Sequence, residues 1–304
     1  MSLLVPVAML AVAGAAGAPQ LIFPEGAALA FGVMALRIGA WREAPGVLLV
    51  APAAAAALGV ALTRLGGPAW GRELVALTAA LVVLRLLRSR LAPVISAAVM
   101  PVVFGIRSWS FVAAVAAIGA VLAAFEAATR SEAGPREAGG KRALLLRGRG
   151  SSPTGPTLLG WVLVGMWVVT AGPLLRLPAP AVAPPLFVAT FEWLARSQRS
   201  AAVGLAQWAA TVTAAGLGAA LAYAVHPEWV GGCVAVILAA GLLVAASVPH
   251  PPALAVALIP QLTGAGHPVR FVAAVTVGSA VLYAAASVAH RYTFARRRPA
   301  GAGE

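Results

Sequence analysis

The chain has 304 residues, 61% of them hydrophobic and only 10% charged, with a mean hydropathy of +0.91. A soluble domain carries roughly 25% charged residues, so an ordinary cytosolic globule is excluded, and disorder is excluded by the hydrophobicity. The net charge of +13 would suggest nucleic acid in a soluble chain; here the arginines stand between apolar runs, as membrane topology requires.

The predicted elements run in two sets. Apolar segments fall at about 3–19, 26–36, 45–63, 73–87, 92–104 and 109–128. A polar, basic stretch follows at 130–156, and a second set at about 157–175, 185–195, 201–225, 230–248, 251–263 and 271–289. The first segment ends in small residues like a signal peptide, but no basic region precedes it and further spans follow, so it is read as the first span. The expected fold is an all-α polytopic membrane protein with 8 to 12 crossings. Its expected parts are a first transmembrane repeat at 1–129, a basic cytoplasmic linker at 130–156, a second repeat at 157–290 and a basic cytoplasmic tail at 291–304.

The halves read as copies. A shift of 160 residues places Phe111–Val115 on Phe271–Val275, and a shift of 159 places Leu58, Gly59, Pro68 and Trp70 on Leu217, Gly218, Pro227 and Trp229. Pro93, Pro101 and Gly105 fall on Pro252, Pro260 and Gly264.

Direction follows from charge. With linker and tail inside, the inside loops also hold Arg37, Arg42, Arg85, Arg88, Arg90, Arg196 and Arg199. Only Arg64, Arg72, Arg107, Arg176 and Arg270 fall outside. The bias predicts cytoplasmic termini, and an even number of crossings per half predicts parallel rather than inverted repeats. Two segments per half are too short for a bilayer and are expected to be broken or re-entrant, with Pro101 and Pro260 as their stops.

The sharpest chemistry is Pro249-His250-Pro251-Pro252-Ala253. Proline is tolerated in the first helical turn, and free N–H groups at such a start are expected to meet a small anion or polar solute. His250 adds a hydrogen-bonding group; the matching first-half residues are Leu91-Ala92-Pro93, so a His-dependent site exists once per chain. An interfacial helix start with an incidental histidine is the competing reading. Gln207 and Thr211 share a face and either line a pathway or join helices. Glu192, beside Trp193 in a short segment, and Gln261, near the end of the last short one, complete the candidate set of His250, Pro251, Pro252, Gln261, Glu192, Gln207 and Thr211. Glu126 with Arg130 and Glu192 with Arg196 read as exposed i,i+4 pairs, Glu25 as a carboxylate capping a short helix, and Trp161, Trp167 and Trp229 as interfacial anchors. Cys233, the single cysteine, reads as a small packing residue in a span; no cofactor and no metal site is expected.

The run Ser247-Val-Pro-His-Pro-Pro-Ala-Leu-Ala-Val-Ala-Leu258 resembles the signature of the HPP family of integral membrane proteins, named for its His-Pro-Pro motif. The spans at 185–225, 230–248 and 271–289 are similar to the family's in order and length, and Phe23-Pro-Glu-Gly-Ala-Ala-Leu-Ala-Phe31 resembles the Gly-Ala-small element near its start. The family's glycine after His-Pro-Pro-Ala is Leu254 here. A plant member is associated with nitrite transport, so the resemblance implies permeation of a small anion.

These readings combine into a permease or channel for a small solute, nitrite being the example, in a bacterial cytoplasmic membrane. Catalytic motifs such as Walker A, a nucleophile elbow or HExxH are absent from the sequence, and no enzyme is expected. The competing readings are a non-transporting membrane subunit or assembly partner, and an intramembrane enzyme on a lipid-linked substrate using His250 and Glu192. Expected partners are the solute and anionic inner-leaflet lipids, with a homo-oligomer admitted and nucleic acid excluded.

Overall fold

The computed structural model describes residues 1–131, 154–195, 200–264 and 267–295. Most of the basic linker, Arg196, Arg199 and the arginines of the tail after Ala295 lie outside the described residues. Within them the chain forms twelve α-helices. The first half contains α1 (Leu4–Ala15), α2 (Pro24–Ala30), α3 (Pro45–Arg64), α4 (Ala69–Leu86), α5 (Pro93–Phe104) and α6 (Trp109–Ser131). The second contains α7 (Thr154–Ala171), α8 (Pro184–Ala195), α9 (Ala201–Ala224), α10 (Glu228–Ala245), α11 (Pro252–Thr263) and α12 (Pro268–Ala295).

Five helices are long and apolar enough to cross a membrane: α3, α9, α10 and the described parts of α6 and α12. α1 is shorter than the 3–19 segment suggests, because the chain leaves the helix at Ala16 and turns through a left-handed Gly17.

Four short helices form the centre. α5, α8 and α11 have 12 residues each, and α2 reaches a similar length because a widened turn, Phe31–Ala35, continues it. At 1.5 Å per residue each is about 18 Å long, well short of a bilayer's hydrocarbon core. All four are sealed: Ile22–Val33, Leu91–Val102, Ala181–Leu194 and His250–Gln261 are buried without a break. α2 packs on α5 and α11, and α8 packs on the same two, which closes a ring of four. The longer helices surround it and turn apolar side chains such as Leu58, Val82, Val121, Met166, Leu205, Ile237 and Val281 outward. Apolar side chains on the outside and helices buried all round at the centre are what a lipid solvent selects.

Proline starts each short helix, where the missing N–H loses nothing. The expectation that Pro101 and Pro260 end α5 and α11 is not met. Both helices continue one turn further, since a proline that close to the C-terminus removes only one hydrogen bond. Glycine ends them instead: Gly105 and Gly264 have φ of 69° and 78°, a region open to glycine at little cost.

Several positions 159 residues apart share a positive φ, although ψ is 25° at Gly105 and 148° at Gly264. Gly17 and Arg176, Arg88 and Ser247, and Gly105 and Gly264 all have positive φ. Arg88 and Ser247 close α4 and α10 in the same way: the Ser89 N–H donates to the Leu84 carbonyl and the Val248 N–H to Leu243, both at 2.9 Å. A Cβ on Gly59 would collide with the Ala98 carbonyl oxygen, and one on Gly218 with the Ala257 carbonyl oxygen. Packing across the halves also corresponds. α1 lies on α10 as α7 lies on α4, and α2 on α11 as α8 on α5.

Candidate functional site

The Pro249–Pro252 segment carries His250 into the protein, where only 2% of it is exposed. The helix start differs from the sequence expectation. Pro251 and Pro252 have no N–H to offer, the Ala253 N–H donates to the His250 carbonyl at 3.1 Å, and the Leu254 N–H donates to the Pro251 carbonyl at 2.9 Å. The first donors of α11 are therefore already engaged, and the helix end is not an open anion cradle. The first half builds the same turn, with Val94 bonded to Leu91 and Ile95 to Ala92. What sets the second half apart is the imidazole.

His250 Nε2 lies between two hydroxyls, Thr211 Oγ1 of α9 at 3.1 Å and Tyr283 Oη of α12 at 2.9 Å. Thr211 gives its own proton to the Gln207 carbonyl one turn back, at 2.9 Å, so toward His250 it can only accept. Tyr283 can donate or accept. A protonated Nε2 donates to Thr211; a bare Nε2 accepts from Tyr283. The cluster thus has two hydrogen-bonding states that differ by one proton shift. Trp193 of α8 meets the Tyr283 ring edge to face, with centroids 5.8 Å apart. In this way α8, α9, α11 and α12 converge on one polar point in an apolar interior.

The predicted residues are distributed unevenly around this point. His250 and Thr211 are in contact, and Pro251 and Pro252 turn the chain into α11 behind them. Gln207 is buried on the same face of α9 as Thr211. Glu192 is buried near the end of α8, next to Trp193; its expected partner Arg196 lies outside the described residues. Gln261 belongs elsewhere: nine residues along α11, about 14 Å of helical rise, its amide lies against the Gly218 carbonyl.

Sequence reasoning missed Tyr283, which lies 33 residues beyond the motif in another helix. A signal existed: at the repeat offset, 159 residues for His250 and Thr211 and 160 for Tyr283 in α12, the three stand over Leu91, Pro52 and Ala123, so the second half replaces three unrelated residues with three that meet.

In the first half, charged groups are gathered instead. Glu126 is fully buried and receives Arg42 Nε at 3.1 Å and Arg130 Nε at 2.9 Å. Arg130 also donates to the Glu43 carbonyl at 2.8 Å, and Glu43 Oε1 accepts from the Ser89 hydroxyl at 3.0 Å. The i,i+4 pair of Glu126 and Arg130 is therefore no exposed pair; Arg42, 84 residues away, pins it inside. Trp167 is likewise no interfacial anchor. It is buried and donates to the Ala181 carbonyl at 2.9 Å. Trp161 donates to Thr78 at 3.0 Å, and Trp229 stacks over Gly14.

Two cavities open at the other end of the ring, where α5 and α11 terminate. One of about 310 Å³ is bordered by Pro260, Thr263, His267, Arg270 and Phe271. The other, about 450 Å³, is bordered by Gln20, Phe104, Arg107, Ser108 and Thr263. Each has one arginine at its margin.

The apolar spans around a ring of short buried helices make this an integral membrane protein of the polytopic helical class. A family model described as HPP, transmembrane region, matches residues 159–299. The second half of the chain, with His250, Pro251 and Pro252 at its centre, is an HPP-family membrane region. No curated protein and no solved structure gives a significant match.

Proposed function

We propose that the protein is a permease for a small inorganic anion, with nitrite as the first candidate, and that His250, Thr211 and Tyr283 form its selective point. The observation that carries this reading is the burial of that cluster where two helices too short to cross a bilayer, α8 and α11, meet the long helices α9 and α12. Short helices of this kind end at membrane depth, and their ends are tolerated there only when buried in protein or lining a path. Family membership supports transport in general, and the resemblance of the His-Pro-Pro segment to a family with a nitrite-associated member supports the anion. Arg107 and Arg270 at the cavity margins would raise the local concentration of anions.

In the same reading the halves are parallel repeats related by an axis near the membrane normal, with both termini and the linker cytoplasmic. The recurring positive-φ residues, the paired Gly59 and Gly218 contacts and the reciprocal packing of α1, α2, α7 and α8 support the repeat. Only the second copy carries the cluster, so one site serves each chain.

The test is influx into proteoliposomes of purified protein, with nitrite, nitrate, formate and chloride supplied one at a time. Saturable influx of at least one anion above protein-free liposomes is expected. Influx equal to protein-free liposomes for all four would favour a non-transporting membrane subunit.

A further inference from the structure

Of the four buried glutamates of the first half, the two most deeply buried, Glu25 and Glu126, are treated in opposite ways. Glu126 has two arginines on it. Glu25, 1% exposed in the first turn of α2, has no hydrogen-bond partner on either oxygen among the described residues. Beside it is Ser96 of α5, fully buried, whose hydroxyl faces the Glu25 carboxyl and has no other partner among the described residues. Glu25 stands in the first turn of α2, where a carboxylate is expected, but makes no capping hydrogen bond.

The surroundings supply no charge. α2 packs against α1, α5, α6 and α11. α1, α5 and α11 contain no titratable side chain, and neither does the widened turn Phe31–Ala35. α6 meets α2 through Ile118, which lies against Gly26. Its charged residues, Glu126 and Arg130, are two and three turns further on and already engaged with each other and with Arg42. Nor does the fold require a carboxyl here: at the 159-residue offset α8 begins with Pro184.

An isolated carboxylate in so apolar a place needs a positive partner. A metal cation needs a shell of about six oxygens, while Glu25 and Ser96 together bring three side-chain oxygens. A proton needs one. We propose that Glu25 is the proton-carrying residue of the permease, which makes transport a proton–anion symport; this rests on the transport reading above. A proton from water on one side forms the O–H bond of the Glu25 acid, with the Ser96 hydroxyl as acceptor. After rearrangement that bond breaks and the proton passes to water on the other side. One proton moving with one monovalent anion leaves no net charge to cross the low-dielectric core, where a lone charge is costly. α2 packs between α5 and α11, and His250 stands at the start of α11, so the proton site and the His250 cluster are joined through one short helix.

The experiment has two readouts on the same reconstituted protein. Infrared difference spectra across a pH step report the carbonyl band of a protonated carboxylic acid. Nitrite influx is measured with and without an inward proton gradient, after subtraction of protein-free liposomes. The parent is expected to show the acid band and gradient-stimulated influx. Glu25→Gln, nearly isosteric, should lack that band and carry nitrite at a rate the gradient does not change, while Ser96→Ala should keep the band and shift its frequency. An acid band that survives unchanged in Glu25→Gln, or gradient stimulation that survives there, overturns the proposal. A parent without nitrite influx but with an acid band that Glu25→Gln removes overturns the transport reading instead, leaving Glu25 as a proton-binding group.

Discussion

The Tyr283 hydroxyl stands 2.9 Å from Nε2 of His250, although the two residues come from different helices. One hydrogen bond ties α12 to the turn that opens α11, with the Trp193 ring holding the tyrosine from the other side. Tyr283→Phe removes only the hydroxyl. The loss is expected to be about 0.5–1.5 kcal/mol, read as a drop in the thermal midpoint of detergent-solubilised protein. Thr211→Val, which also strips the bond to the Gln207 carbonyl, should cost at least as much. If Tyr283→Phe melts like the parent, the hydrogen bond carries no weight in the fold.

The close approaches of α3 to α5 and of α9 to α11 supply a second prediction. A methyl group on Gly59 or Gly218 meets a backbone carbonyl oxygen, which cannot move aside without its helix. Overpacking of this kind costs about 1–3 kcal/mol. Gly59→Ala and Gly218→Ala should lower the thermal midpoint by similar amounts. A large loss in one and none in the other would separate the two halves mechanically and count against the repeat.

Glu126 tests the ion cluster. Removing one member of a fully buried pair costs about 3–5 kcal/mol. Arg42 and Arg130 keep 27% and 23% of their side chains exposed and can regain water. Glu126→Gln should therefore destabilise by less, about 1–3 kcal/mol. A midpoint equal to the parent's would show the cluster to be energetically idle.

Topology is checked by thiol labelling. Cysteines introduced singly at Ser131 and Ala302, in a Cys233→Ala background, should resist an impermeant reagent in intact cells and react after permeabilisation. Labelling of both from outside would reverse the orientation, and labelling of only one would remove the parallel arrangement.

Much of the architecture was legible because proline and glycine punctuate the chain so regularly. Pro24, Pro93, Pro184 and Pro252 start the four short helices, and the apolar lengths between breaks separate short from long. Where reading failed, the cause was tertiary. Pro260 reads as a stop, but one lost bond near a helix end is tolerated inside a packed ring. The Pro-Pro start of α11 suggested free donors, yet carbonyls three residues back take up the first two. Glu126 and Arg130 read as exposed because spacing along one helix says nothing of Arg42 arriving from another. Tyr283 carries no local signature, and only superposing the two halves marks it as a departure.

The most direct test of the account is nitrite influx into proteoliposomes by the parent and by His250→Ala. Pro251 and Pro252 remain to start α11, so the variant should fold. Loss of one hydrogen bond to the anion, about 0.5–1.5 kcal/mol, predicts an apparent affinity weakened roughly 2- to 10-fold. Saturable influx in the parent with that shift in the variant is the predicted result. Parent and variant carrying nitrite identically at every concentration would contradict the account and leave the His-Pro-Pro segment as a helix start alone.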